Sequence, residues 1–484
     1  MQELFGAISS YVWSPALVIL CLFAGLYFSF GTRFIQVRRL RTMARLLFST
    51  DKKQKTGITS FQAFAMALSG RVGTGNIVGV ATAIGYGGPG AIVWMWIIAF
   101  FGAGTAFAES TLAQIYKEEH DGQFRGGPAY FIEKGLKCKW LSFLFAICGV
   151  IAMGLLMPPV QCNGIAISCA NTFGIKPYIA GIVVAVLIGL IIIGGVKRIA
   201  NVAQVVAPFM AILYVLLAII VLICKAELVP EAFMDMIRSA FGFNEVLGGI
   251  LGSTIAWGVK RGIYSNEAGQ GTGAIVAGAA KVSHPVKQGL VQAFSVYVDT
   301  LLVCTATALM ILACKTYNVY DASGNILIAS PCTTLGAPDV SYTSAALSSV
   351  LGVNWGNVII ASSLFFFAFT TIMAYYYYAE TNLVYLFSRK KNRKRVEKVV
   401  VWALRISTVA SVFFGSLFEA KTMWDLGDIG VGTMAWINII AILLLSPKAF
   451  KTLRSFERQE KEGKEPKFNP KEIGIDNADF WEKS

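Results

Sequence analysis

Apolar stretches of roughly 20 residues recur from one end of this chain to the other, each long enough to cross the hydrocarbon of a bilayer. An unpaired backbone amide or carbonyl costs several kcal/mol in that medium, so spans must be helices or closed barrels. Stretches of this length are helical, and the expected fold is an all-α polytopic membrane protein. Charged residues make up 14% of the chain, well under the roughly 25% of soluble domains, and mean hydropathy is +0.61. The stretch Tyr11 to Phe30 lacks the basic start and small-residue cleavage site of a signal peptide, so it counts as a span. About eleven spans are expected, at roughly 11–30, 60–85, 88–116, 140–170, 178–195, 202–224, 246–280, 288–314, 357–380, 400–418 and 424–446. The third, fourth and seventh exceed what a membrane needs, which implies tilt or helix beyond the bilayer.

The formal net charge of +14 would suit nucleic acid, but its placement does not. Basic residues follow the odd-numbered spans: Arg33, Arg38, Arg39, Arg41, Arg45, Lys52, Lys53 and Lys55, then Lys117, Arg125, Lys134, Lys137 and Lys139. Lys197 and Arg198, Lys281 and Lys287, and the run Arg389 to Arg395 continue the series. The alternate loops are uncharged or acidic. Cytoplasmic loops carry the Lys and Arg, so the expected orientation is N-terminus outside and C-terminus inside, in the cell membrane. Two histidines and nine scattered cysteines give no metal-ligand spacing, and no cofactor is expected. His120 and His284 fall in inside loops, which leaves no catalytic set at membrane depth and argues against an enzyme. Cys314 and Cys332, in the outside loop 315–356, stand as free thiols or as a disulfide. The tail from Lys448 alternates charge sign and reads as a solvated helix with a floppy end.

Within span two the chain reads Ser69-Gly70-Arg71-Val72-Gly73-Thr74-Gly75-Asn76-Ile77-Val78-Gly79. Irregular backbone at mid-membrane survives only where it is buried or lines a wet cavity. Unwinding there frees carbonyls for a cation, and amides at a half-helix N-terminus for a carboxylate. Transporters built from inverted repeats make their sites this way. A dinucleotide loop is excluded by the spacing and by the absence of a preceding strand. Gly75 to Gly79 also fits a helix-packing face, and a plain kink is the third alternative. Arg71 speaks against the last two, since a cation at that depth needs a partner.

Span seven repeats the theme with Ser253-Thr254-Ile255-Ala256-Trp257-Gly258-Val259-Lys260-Arg261-Gly262 and then Tyr264-Ser265-Asn266-Glu267-Ala268-Gly269-Gln270-Gly271. Two readings stand: a second interrupted helix, or a span ending at Trp257 with Lys260 to Glu267 as an inside loop. Either way Thr254, Trp257 and Gly258 remain at membrane depth. Trp257 is a gate over the site or a core residue. In span nine Thr370 and Thr371 follow an aromatic run that contains Phe366. Their hydroxyls either bond their own helix or complete an oxygen cage for Na⁺. Glu109 is an intramembrane carboxylate and so a functional candidate. Gln161 and Asn163 reach the cavity or cap a kink.

At these residues the chain resembles the alanine-or-glycine:cation symporters, also called sodium:alanine symporters. Gly87-Gly88-Pro89-Gly90-Ala91-Ile92-Val93-Trp94-Met95-Trp96 through Gly102 is similar to that family's signature. Ser69 to Asn76 and Arg261 to Gly269 resemble family motifs, and the likeness runs over all the spans. It implies a LeuT-type five-plus-five inverted repeat with one extra N-terminal helix. The implied divisions are 1–59 (extra helix and basic loop), 60–224 and 225–447 (the two repeats) and 448–484 (tail). It implies alternating-access import of a small neutral amino acid with Na⁺, with H⁺ coupling or a serine or glutamine substrate as alternatives. Ser69 and Val72 carbonyls with Thr370 and Thr371 would hold the ion. Thr74 and Gly75 amides would take the substrate carboxylate, with Asn76 near both. Freed carbonyls around Thr254, Trp257 and Gly258 would take the amino group, and Phe366 would line the pocket. Arg71 has no role that the likeness assigns.

Overall fold

The computed structural model describes residues 2–48, 57–243, 247–332, 335–388 and 393–482. Lys52, Lys53, Lys55, Arg389, Lys390 and Lys391 of the expected basic loops lie outside these residues. Among the described residues, 8 helices are long and apolar enough to cross a membrane: Gln2–Gly31, Ala91–Ile115, Lys139–Phe173, Gly195–Cys224, Pro285–Ala313, Val353–Phe387, Arg393–Gly415 and Ala420–Lys461. The remaining expected spans are helical but fail on length. Pro177–Ile192 is a single short helix. The other two are each cut in two, as Ser60–Arg71 with Val80–Gly87 and as Leu251–Asn266 with Thr272–Ala279.

The order of shapes repeats along the chain. Each broken helix is followed by a long helix, a short helix (Pro128–Leu136, then Val340–Leu351) and a 35-residue helical stretch. The exposed faces of these helices are apolar, as contact with hydrocarbon requires. On Gly195–Cys224 the side chains of Val205, Phe209, Ile212, Leu216, Ile219 and Ile223 are all exposed, an apolar stripe that a bilayer solvates and water would not. Inside, Ala91–Ile115 packs against Leu251–Asn266 and Pro285–Val296. Gly258 permits the first approach, because a Cβ there would stand 2.5 Å from the Ala91 carbonyl oxygen.

The tail departs from expectation. Lys461 to Glu465 are exposed, but the chain then folds back as a strap along the face that carries the basic loops. Phe468, Ile475 and Ala478 are buried. Ser283 Oγ donates to the Pro466 carbonyl at 3.0 Å, and the Phe468 amide donates to the Ser283 carbonyl at 3.0 Å. Lys134 Nζ lies 2.7 Å from Glu118 and 2.8 Å from Asp479. The Trp481 indole donates to the Gln114 carbonyl at 2.8 Å. The Lys117 ammonium then sits 4.5 to 4.9 Å from the rings of Phe480, Phe124 and Trp481. Cation–π contact and apolar burial hold this segment, and the charge alternation before it carries no sign of either. Cys314 keeps a free thiol, which donates to the Ala346 carbonyl at 3.6 Å.

Candidate functional site

The first half-helix starts on a capping box between Thr59 and Gln62 and ends at Arg71. Val72 is extended, and the chain re-enters helix through a π-turn at Gly75–Gly79. Asn76 explains how the break is tolerated: its Oδ1 accepts the Gly73 amide at 2.8 Å, replacing a lost helical partner. Gly73 is required by its neighbours, since a Cβ there would come within 2.6 Å of Thr371 Oγ and 2.8 Å of Gln161 Oε1.

At Thr371 three carbonyl oxygens converge. Its hydroxyl lies 2.8 Å from the Ser69 carbonyl oxygen, 3.1 Å from that of Val72 and 2.9 Å from that of Phe367. One hydroxyl has one proton to give, so three carbonyls converge where a single donor cannot serve them all. Thr370 stands apart, with its hydroxyl on the Phe366 and Phe367 carbonyls of its own helix at 3.1 and 3.0 Å.

Beside this cluster lies a second polar group. Thr74 donates both its amide and its hydroxyl to Gln161 Oε1, at 3.0 and 3.1 Å. Asn76 Nδ2 donates to Asp299 Oδ1 at 2.7 Å. Ser265 Oγ lies 2.9 Å and Thr300 Oγ 2.7 Å from Asp299 Oδ2. Asp299 sits in a π-helical stretch, Tyr297–Cys304, and is fully buried. π-turns are frequent at functional sites, and two of them meet here. Gly75 packs on Tyr264 and Ser265, which brings the two broken helices together.

Several expected positions fall elsewhere. The second break is at Glu267–Gly271, with Glu267 and Gly271 in left-handed backbone. Thr254, Trp257 and Gly258 lie in unbroken helix, so their carbonyls are not freed, and Thr254 Oγ donates to the Ile250 carbonyl. The glycines that suggested a break there serve close packing on Ala91–Ile115 instead. The inside-loop alternative also fails, because Arg261 to Asn266 are helical and buried. Phe366 is 46% exposed and faces away from the site; its neighbour Phe367 is buried against Tyr214. Gln161 reaches the first break, whereas Asn163 Nδ2 donates to the Gly415 and Phe418 carbonyls at a helix end.

On the side away from the basic loops, the Tyr86 and Trp257 rings lie 5.0 Å apart. Arg261 grips Asp428 with both nitrogens at 3.0 and 3.3 Å, Lys260 reaches the same carboxylate at 2.7 Å, and the Trp424 ring covers the guanidinium. These contacts form one layer over Tyr264, whose ring lies 4.9 Å from that of Trp424.

Residues 1–470 match the model of the sodium:alanine symporter family. The chain is 52% identical over 483 residues to a putative sodium/proton-dependent alanine carrier protein of Bacillus subtilis, covering 100% of this chain and 98% of that one. It is 47% identical to the sodium/proton-dependent alanine carrier protein of Bacillus sp. PS3, with 90% and 96% covered, and 40% identical to a probable sodium/glutamine symporter of Bacillus subtilis, with 97% and 93% covered. In fold it is similar to a Na⁺-coupled sialic acid symporter in a substrate-bound outward-open state, at a TM-score of 0.51 and 13% identity over 99% of this chain and 97% of that one. MhsT in complex with L-phenylalanine superposes at 0.50 and 15%, with 82% and 100% covered.

Proposed function

The chain belongs to the sodium:alanine symporter family, and from that footing we propose that it imports a small neutral amino acid of the alanine–glycine class together with Na⁺. The observation that carries the ion assignment is the convergence of the Ser69, Val72 and Phe367 carbonyl oxygens on Thr371 Oγ. A monovalent hard cation is bound by neutral oxygens of this kind, and Na⁺ would turn crowded acceptors into ligands.

The substrate carboxylate takes the Thr74 amide and hydroxyl, where the Gln161 amide oxygen now stands in for it. The ammonium takes Asp299, already set by Asn76, Ser265 and Thr300. Gly75 and Asn76 hold the geometry between the two, and Tyr264 and Trp424, with ring centroids 4.9 Å apart, limit side-chain size. Thr370, Thr254, Trp257, Gly258 and Phe366 support the site only through packing and gating.

Transport proceeds by alternating access between repeats at 60–224 and 225–447, with the basic loops and the C-terminal strap in the cytoplasm and the N-terminus outside. The Tyr86–Trp257 and Arg261–Asp428 layer is then the closed outer gate. No chemical step is involved. The relatives' names join sodium with proton, so H⁺ coupling is the second reading.

Alanine uptake into cells expressing the chain, with Na⁺ replaced by choline at several external pH values, tests the proposal. Uptake that falls away without Na⁺ supports it; uptake indifferent to Na⁺ at every pH sinks the sodium assignment.

A further inference from the structure

Around the second break three charged side chains are buried together. Arg71 lies against Gly273, where a Cβ would meet Nη2 at 2.6 Å. It donates through Nη1 to the Gln292 carbonyl and to Ser295 Oγ, while Nε and Nη2 have no protein partner. Glu109 and Glu267 each use one carboxylate oxygen and leave Oε1 without a protein partner. Both are within the electrostatic reach of Arg71, yet among the described residues no ion pair joins them to it.

Three other buried carboxylates, Glu380, Asp428 and Asp299, are answered on both oxygens. Glu380 has Arg125 at 2.9 Å and Tyr376 at 2.7 Å, Asp428 has Arg261 and Lys260, and Asp299 has the donors already described. Glu109 and Glu267 thus each keep one unanswered oxygen near Arg71, and with Asp299, whose donors are all neutral, they place more negative charge here than one guanidinium offsets in a low-dielectric interior.

The partners of the two glutamates differ in kind. Glu109 Oε2 accepts the Gly271 amide at 3.2 Å and Asn438 Nδ2 at 2.8 Å. Both are N–H donors that require an acceptor, and Gly271 opens the Thr272–Ala279 half-helix, whose N-terminus favours an anion. Glu267 Oε2 instead meets two hydroxyls, Thr272 Oγ at 2.9 Å and Tyr378 Oη at 3.4 Å. Hydroxyls can donate to a carboxylate or accept from a carboxylic acid, so this pocket accommodates either state. The orphaned oxygens do not suit a metal ion, because one free oxygen beside a guanidinium is a poor cation site.

Resting on the symport reading, we infer that Glu267 is the proton-carrying residue of the transport cycle, and that Arg71 reads its charge state. A proton from the outside solution binds Glu267 Oε2, where the Thr272 and Tyr378 hydroxyls can accept it, as alanine enters, and leaves from the same oxygen to the cytoplasm. No other bond is made or broken, and Arg71 stays charged throughout. Protonation of Glu267 leaves Arg71 on the Gln292 carbonyl and Ser295 Oγ, the contacts it makes in this structure. Loss of the proton draws the free face of the guanidinium toward Glu267 and loosens Ser60–Arg71 from Pro285–Val296. The charged or titratable groups facing Glu267 are Arg71 from the first half-helix, Tyr375 and Tyr378 from Val353–Phe387, Tyr264 on its own helix and Asp299 from the π-stretch. All but Glu267 and Arg71 have other assigned partners or are phenols.

The test uses purified full-length protein in liposomes that enclose a pH-sensitive dye, with equal Na⁺ on both sides and alanine added outside under an inward proton gradient. Wild type is expected to acidify the lumen when alanine is added. Glu267→Gln is expected to lose that alanine-dependent acidification while retaining Na⁺-driven alanine uptake. Glu109→Gln is expected to keep both. Acidification by Glu267→Gln at the wild-type rate overturns the inference. Should Glu267→Gln fail to fold, calorimetry of alanine binding to wild type in two buffers of different ionisation enthalpy decides. Proton uptake on binding, abolished in Arg71→Gln, is expected; none in wild type overturns the inference. Wild type with Na⁺-dependent uptake but no alanine-linked proton movement also overturns it and leaves the symport reading standing. No alanine uptake with either ion overturns both.

Discussion

Asn76 Nδ2 stands 2.7 Å from Asp299 Oδ1, across 223 positions of sequence. The same asparagine accepts the Gly73 amide through its other atom, so one side chain both holds the first break open and orients the buried carboxylate beside it.

Asp299→Asn should therefore keep the shape of the site and lose its charge. Hydrogen bonds to charged groups are worth about 1.5–3 kcal/mol, which corresponds to a rise of roughly 10- to 150-fold in half-saturating alanine. Uptake kinetics at saturating Na⁺ read this directly. An unchanged alanine dependence would move the ammonium site elsewhere.

Thr371→Ala removes the hydroxyl on which three carbonyls converge. The Na⁺ concentration for half-maximal uptake should rise by roughly tenfold, for a loss of about 1.4 kcal/mol, with maximal rate less affected. Thr371→Ser should restore it. Thr370→Ala is the contrast, since its hydroxyl serves its own helix, and its Na⁺ dependence should stay near wild type.

Asp428→Asn would leave Arg261 and Lys260 buried together without their shared counter-charge. Breaking a buried pair in this way costs about 3–5 kcal/mol. The expected result is a lower melting temperature of the detergent-purified protein. A cysteine placed at Trp257 should also react faster with an external thiol reagent.

His284 offers a pH test of the strap. Its ring packs 5.0 Å from Phe456 and 5.4 Å from Phe468, and burial, with Lys287 nearby, lowers its pKa to about 3. An undocked histidine titrates near 6.5. The undocked state thus binds more protons between these values, so docking is fully favoured above about pH 6.5 and weakens as pH falls toward 3. Limited proteolysis of the tail should accelerate from pH 7 to pH 5 in wild type, and His284→Phe should flatten that dependence.

Much of this was legible in the residues. The apolar recurrence set the fold class, and Gly73, Thr74 and Gly75 located the first break because irregular backbone is so costly in hydrocarbon. Thr371 was legible and Thr370 misleading, since adjacent positions on a helix face directions about 100° apart and only one can meet the break. Asp299, an aspartate within Val296 to Leu302, carries the same sequence signal as Glu109. The second break was misplaced because Gly258 looks like an interruption and serves as a packing contact. The true break begins at Glu267, a non-glycine residue in left-handed backbone. The strap was hidden because its apolar residues, Phe468, Ile475, Ala478 and Trp481, follow no helical or strand period.

Residues 466–482 also leave the ribosome after every spanning helix. Lys117 cannot gain its ring of aromatics, nor Lys134 its second carboxylate, until that segment has been made. A chain interrupted short of Phe468 has every candidate spanning helix of the described residues and an unfinished surface beside the basic loops. The strap therefore makes the packing of the surface beside the basic loops depend on a segment translated after the last spanning helix.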